Sequence, residues 1–76
     1  MEKIYEILAN IRPEFDFKAS ENYIEDGLLD SFDMVTLVSD LESEFGVIID
    51  GLDIVPENFV SAVTILAMVK KNGGNE

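Results

Sequence analysis

The chain has 76 residues, which suits one small domain with a modest core and modest stability. It holds 16 acidic and 5 basic side chains and no histidine, a net charge of −11, yet 47% of its residues are hydrophobic, too many for a disordered acidic tail. The absence of both Cys and His excludes disulfides, thiolate nucleophiles, Cys/His zinc sites and Ser-His or Cys-His triads, and the acidity argues against nucleic acid as a partner.

The charge is concentrated. Residues 19–69 contain no Lys or Arg and hold eleven of the acids. Such a field repels anionic surfaces and steers basic partners inward. The flanks hold five acids and five bases, which cancel.

Ile4, Ile7, Leu8 and Ile11 recur at i, i+3, i+4, i+7 and predict a first amphipathic helix. Pro13 disfavours helical geometry at Arg12, so this helix should end there. Met1-Glu2-Lys3 runs directly into that amphipathic pattern, so no signal peptide is expected. Residues 13–29 show no sustained period but carry Phe15, Phe17, Tyr23, Ile24, Leu28 and Leu29. They read as a long loop that is functional or packed down by its own apolar side chains.

A second helix starts where Asp30 or Ser31 can serve as the N-cap, with Asp33 in the first turn at the positive end of the helix dipole. Met34, Leu37, Val38, Leu41 and Phe45 form its core stripe, and Gly46 its stop. Val47-Ile48-Ile49 has no partner strand and reads as a buried connector, with Asp50-Gly51 a turn. Ile54 to Phe59, with Pro56, suggests a short helical turn. Ser61 is a good N-cap for a last helix through about Lys71. That helix is apolar on nearly every side and so belongs between others. The most apolar stretch, Val60 to Val69, is too short to span a bilayer. The expected fold is all-α: a small bundle of three main helices plus one short helix, with a long first loop. The domain spans 1–71, and 72–76 reads as a flexible C-terminal tail. A cytoplasmic monomer is expected.

On a wheel at about 100° per residue, Phe32 falls almost opposite the core stripe of the second helix and Val35 lies at the border. They form a recognition patch, unless the long loop or the short helical turn covers them. Asp33, Asp40 and Glu44 cluster on one flank and Glu42 on the other, with no lysines interspersed to stabilise the helix. These acids are candidates for docking a basic partner. Ser31 has no His to activate it, and the lysines lie near the chain ends. It is therefore no catalytic nucleophile, but it can be an attachment point when another enzyme supplies the base. A phosphate there would sit at a helix N-terminus, which favours anions. Asp50-Gly51-Leu52-Asp53 lacks the alternating acids and closing Glu of a calcium loop.

The run Asp26-Gly27-Leu28-Leu29-Asp30-Ser31-Phe32-Asp33, followed by Leu37-Val38, Leu41-Glu42 and Glu44-Phe45-Gly46-Val47, resembles an acyl carrier protein. Phe59, Ser61, Val63, Ile65 and Val69 extend the likeness into the last helix, so it covers nearly the whole chain. The resemblance implies that Ser31 carries a covalent 4′-phosphopantetheine arm donated by coenzyme A. It implies that Asp30 helps hold the metal during transfer, and that Phe32, Asp33, Val35, Glu42 and Glu44 meet partner enzymes. It implies no catalysis by the chain itself. The partners would be a phosphopantetheinyl transferase, an acyl- or aminoacyl-loading ligase and downstream synthases or transferases, all with basic docking patches. Phe32 stands where the motif usually has Leu. Ser39 is polar where fatty-acid carriers often have an apolar residue, and Thr36 and Ser43 lack acids that many of them carry. General fatty-acid synthesis and a specialised acyl, D-alanyl or peptidyl pathway therefore both remain open. A reading of a different class is an unmodified acidic helical interaction module.

Overall fold

The computed structural model describes residues 1–75. It contains three α-helices: α1 (Glu2–Ile11), α2 (Ser31–Phe45) and α3 (Ala62–Lys71). Two 3-10 turns, Gly51–Asp53 and Pro56–Phe59, lie between α2 and α3, and no strand occurs among the described residues. The fold is a small all-helical bundle. α1 packs against both α2 and α3, and the second 3-10 turn packs on α3.

The apolar stripes meet in one core. α1 contributes Ile4, Ile7 and Leu8; α2 contributes Met34, Leu37, Val38 and Leu41; α3 contributes Ala62, Ile65, Met68 and Val69. Phe59 and Ile49 close it from the connecting segments, and Phe45 packs at its edge. α1 ends at Arg12, as the following proline dictates, with the Arg12 N–H donating to Leu8 O. The 19-residue stretch from Arg12 to Asp30 is held down by its own side chains. Phe17 and Tyr23 are buried and meet edge to face, with ring centroids 5.0 Å apart. The Tyr23 N–H donates to Val60 O at 2.8 Å, fastening the loop to the approach to α3. Burial pushes the Tyr23 phenol above its ordinary pKa, and Tyr5 adds to the shift.

Helix ends follow local grammar. Gly46 takes the left-handed conformation, φ 66°, that a side chain resists, and its N–H donates to Glu42 O. Ser61 caps α3 by accepting from the Thr64 N–H, while the Thr64 hydroxyl accepts from the Ser61 N–H.

The short helical turn expected over Ile54 to Phe59 is the 3-10 turn Pro56–Phe59, and the expected Asp50-Gly51 turn opens a second one, Gly51–Asp53, in which the Asp50 carboxylate accepts from the Leu52 N–H. Two expectations change. The connector 47–49 is not buried throughout. Ile49 is inside but Ile48 is 84% exposed, as alternation along an extended run requires. α3 is not surrounded: Val63, Ala67 and Lys70 face solvent, since a bundle this small covers only one side of a helix.

Within the segment 72–76, Asn72 to Gly74 are hydrogen-bonded to the rest of the fold. The Asn72 amide donates to Asp53 and Met68 O and accepts from the Asp50 N–H, and the Gly74 N–H donates to Val69 O. Gly74 is buried. Only Glu76 of that segment lies outside the described residues.

Candidate functional site

Asp30, not Ser31, is the N-cap of α2. Its backbone is extended, and its Oδ1 accepts from the Asp33 N–H at 2.9 Å. Asp33 reciprocates, with Oδ2 accepting from the Asp30 N–H at 3.2 Å. The bond from the Asp33 N–H, aided by the charge of Arg12, holds the Asp30 carboxyl below the usual carboxylate range, while partial desolvation opposes this.

Ser31 is the first residue of α2 and is exposed. Because the cap is made by Asp30, the Ser31 hydroxyl is left over, and nothing among the described residues hydrogen-bonds it. Phe32 is 81% and Val35 65% exposed, so neither the long loop nor a 3-10 turn covers them. Thr36, Ser39 and Ser43 are exposed as well. The outward face of α2 is therefore an uncharged strip: apolar beside Ser31, hydroxyl-bearing further along.

The acids divide into two kinds. Asp40 and Glu44 line a recess of about 150 Å³ with Ile7, Asn10 and Ser43, and Glu44 is exposed. Glu42 is half-buried, and its Oε2 accepts from the Ile49 N–H at 2.9 Å, so it fixes the connector. Asp33 does not offer its charge outward as the sequence suggests. It is only 8% exposed, and its Oδ2 accepts from Arg12 Nε at 3.0 Å and forms an ion pair with Arg12 Nη2, also at 3.0 Å. Of the acids expected to meet partners, Asp40 and Glu44 remain open, while Glu42 and Asp33 are engaged within the fold.

Arg12 is the residue that sequence reasoning missed. Its Nη2 also lies 3.7 Å from Asp30 Oδ2, and its Nη1 3.4 Å from Glu14 Oε2. The charge and hydrogen bonding of Asp33 push the already high pKa of the guanidinium further up. The available signal was that Arg12 is one of only two bases between α1 and the base-free segment.

Among the described residues no group of three or more Asp, Glu, His or Cys side chains is placed to hold a metal ion. Nor, among the described residues, is any helix long and apolar enough to cross a membrane. No protein-family model matches the chain, and no curated protein matches it significantly.

Proposed function

We propose that this chain is a carrier that holds an acyl or aminoacyl group as a thioester on a 4′-phosphopantetheine arm attached to Ser31. The observation that carries the reading is the exposed, unengaged hydroxyl of Ser31 at the first turn of α2, between the open carboxylate of Asp30 and the exposed ring of Phe32. The exposed site fits a long covalent arm, because nothing in the fold has to move to admit it.

In the attachment step the Ser31 oxygen forms a bond to the phosphorus that bears the pantetheine. The phosphoanhydride bond of coenzyme A breaks and adenosine bisphosphate leaves. The serine proton passes to a base on the transferase, since this chain has no histidine. Asp30, kept ionised by its capping bond, would hold one position of a metal brought by the transferase, and that metal would offset negative charge on the transferring phosphate. Once attached, the arm supplies the thiol that the sequence lacks. Phe32 and Val35 give partner enzymes an apolar foothold, and Asp40 and Glu44 give a basic rim something to pair with.

The test is intact mass after incubation with coenzyme A and a broad-specificity phosphopantetheinyl transferase. One arm should be gained by the chain and none by Ser31→Ala. A chain that stays unmodified would instead be an acidic helical interaction module.

A further inference from the structure

Two carboxylates stand on either side of Ser31, and the fold treats them unequally. The Asp30 side chain is 64% exposed and the Asp33 side chain 12%. The difference traces to Arg12, at the C-terminal end of α1 and 21 residues before Asp33. Two of its nitrogens converge on one oxygen, Asp33 Oδ2, which also accepts from the Asp30 N–H. The same guanidinium reaches Asp30 Oδ2 only loosely, at 3.7 Å. Arg12 thus joins the two ends of the long loop and neutralises one of the acids beside Ser31 while leaving the other open. Other bases are engaged elsewhere: Lys3 over the Phe45 ring, Lys18 over the Tyr5 ring, Lys71 on Asp53.

We propose that Arg12 is a positioning residue for group transfer to Ser31: it draws the Asp33 carboxylate against the end of α1, withdrawing one of the two negative charges that flank the hydroxyl and fixing the first turn of α2. This rests on the carrier reading. A donor such as coenzyme A is a polyanion, so every unneutralised carboxylate beside the acceptor hydroxyl opposes its approach. Asp30 must stay open to share a metal, so Asp33 is the acid to neutralise. A planar guanidinium can set two N–H groups on one oxygen and hold it in place, whereas an ammonium acts as a mobile point charge.

Arg12 pairs with Asp33, Asp30 and Glu14 and not with the docking residues Phe32, Val35, Asp40 and Glu44, so its removal should lower the transfer rate rather than the affinity for the transferase. The experiment is steady-state kinetics of arm transfer from coenzyme A with a broad-specificity transferase, varying the carrier. It compares the wild type with R12Q, R12K and the double variant R12Q/D33N, with melting curves in parallel. In R12Q, kcat should fall about tenfold or more, as misplacement of a reacting group does, with KM for the carrier nearly unchanged. R12K should be intermediate. R12Q/D33N should recover most of the rate, because it removes the charge that Arg12 controls. An R12Q protein with wild-type kcat overturns the proposal. So does a loss that appears only as a raised KM in step with the unfolded fraction, or a double variant no better than R12Q. Should R12Q not fold, R12K and the double variant still decide the matter. A wild-type chain that accepts no arm fails the carrier reading itself, and the inference with it.

Discussion

Lys71 Nζ stands 2.6 Å from Asp53 Oδ1, tying the end of α3 to the first 3-10 turn. Asn72 completes the clasp by donating to Asp53 Oδ2 at 3.1 Å. The Lys71 bond, then the Asn72 bond, hold the Asp53 carboxyl below its ordinary pKa, and the same ion pair pushes the Lys71 ammonium above its own.

These directions give the pH dependence its sign. A depressed carboxyl contributes stability that is present above its unfolded pKa, about 3.9, and is lost as pH falls through the lower folded value. Asp30 behaves in the same way. A raised ammonium contributes stability that is present below about 10.4 and is lost as pH rises through the higher folded value. Melting temperature should therefore hold or rise on moderate acidification, as repulsion among the other carboxylates is relieved, then fall below about pH 4. A second fall should come above about pH 10. Asp53→Asn should flatten both limbs in a melt series across pH, and identical limbs in the variant would remove the clasp from the explanation.

Just beyond this clasp, Gly74 is buried and donates its N–H to Val69 O. A Cβ there would collide with Val69 Cγ1 and crowd Val69 O and Val47 Cγ1. Gly74→Ala should cost about 1–3 kcal/mol in urea unfolding, the range for overpacking a filled site. A frayed segment would tolerate the change without loss.

What the sequence reveals is mostly what acts over one helical turn. The stripe Ile4, Ile7, Leu8, Ile11, the caps at Asp30 and Ser61, and the stop at Gly46 are all local patterns, and each appears where its spacing puts it. The reach of Arg12 to Asp33 and of Lys71 to Asp53 spans 21 and 18 residues. No period encodes such a contact. It exists only because the core brings the ends of α1 and α2, or of α3 and the first 3-10 turn, together. Hence Ser31, Phe32 and Val35 could be singled out from the sequence, but not the division of the acids into open and engaged groups.

Ser31→Ala should remove arm attachment and leave the fold alone. The capping bonds belong to Asp30 and Asp33, and Ser31 is exposed with an unengaged hydroxyl. The change should stay within about 0.5 kcal/mol by chemical unfolding, as for other surface sites. A variant that still gains the arm would move the attachment site elsewhere.

Charge reversal should separate the two kinds of acid. Asp40→Lys and Glu44→Lys should slow transfer by the transferase mainly at low salt, since exposed charges are screened over about 8–10 Å at physiological ionic strength. Asp33→Lys should instead destabilise the protein, because it sets an ammonium against Arg12 and removes an acceptor from the Asp30 N–H. Transfer rates at two salt concentrations, read beside melting temperatures, distinguish these outcomes. Equal salt dependence in wild type and in the Asp40 and Glu44 variants would contradict electrostatic docking.

The bundle should gain stability from added salt. Of the eleven acids in the base-free segment, Asp33 and Asp53 have a base within 3.0 Å, supplied by Arg12 and Lys71 from the flanks. Nine do not, and folding gathers them on one small surface. Two opposing effects are in play. Salt weakens the few attractive pairs, but these are short and partly shielded from solvent, where screening is weaker. The repulsions are spread over exposed side chains and are screened fully. Repulsion should therefore dominate the response, and melting temperature should rise with sodium chloride. Millimolar magnesium or calcium should raise it at far lower ionic strength, because a divalent cation can bridge neighbouring carboxylates. Thermal melts at fixed pH and protein concentration measure both. A melting temperature that falls steadily with salt would mean that the pairs at Arg12 and Lys71 outweigh the repulsion among the nine.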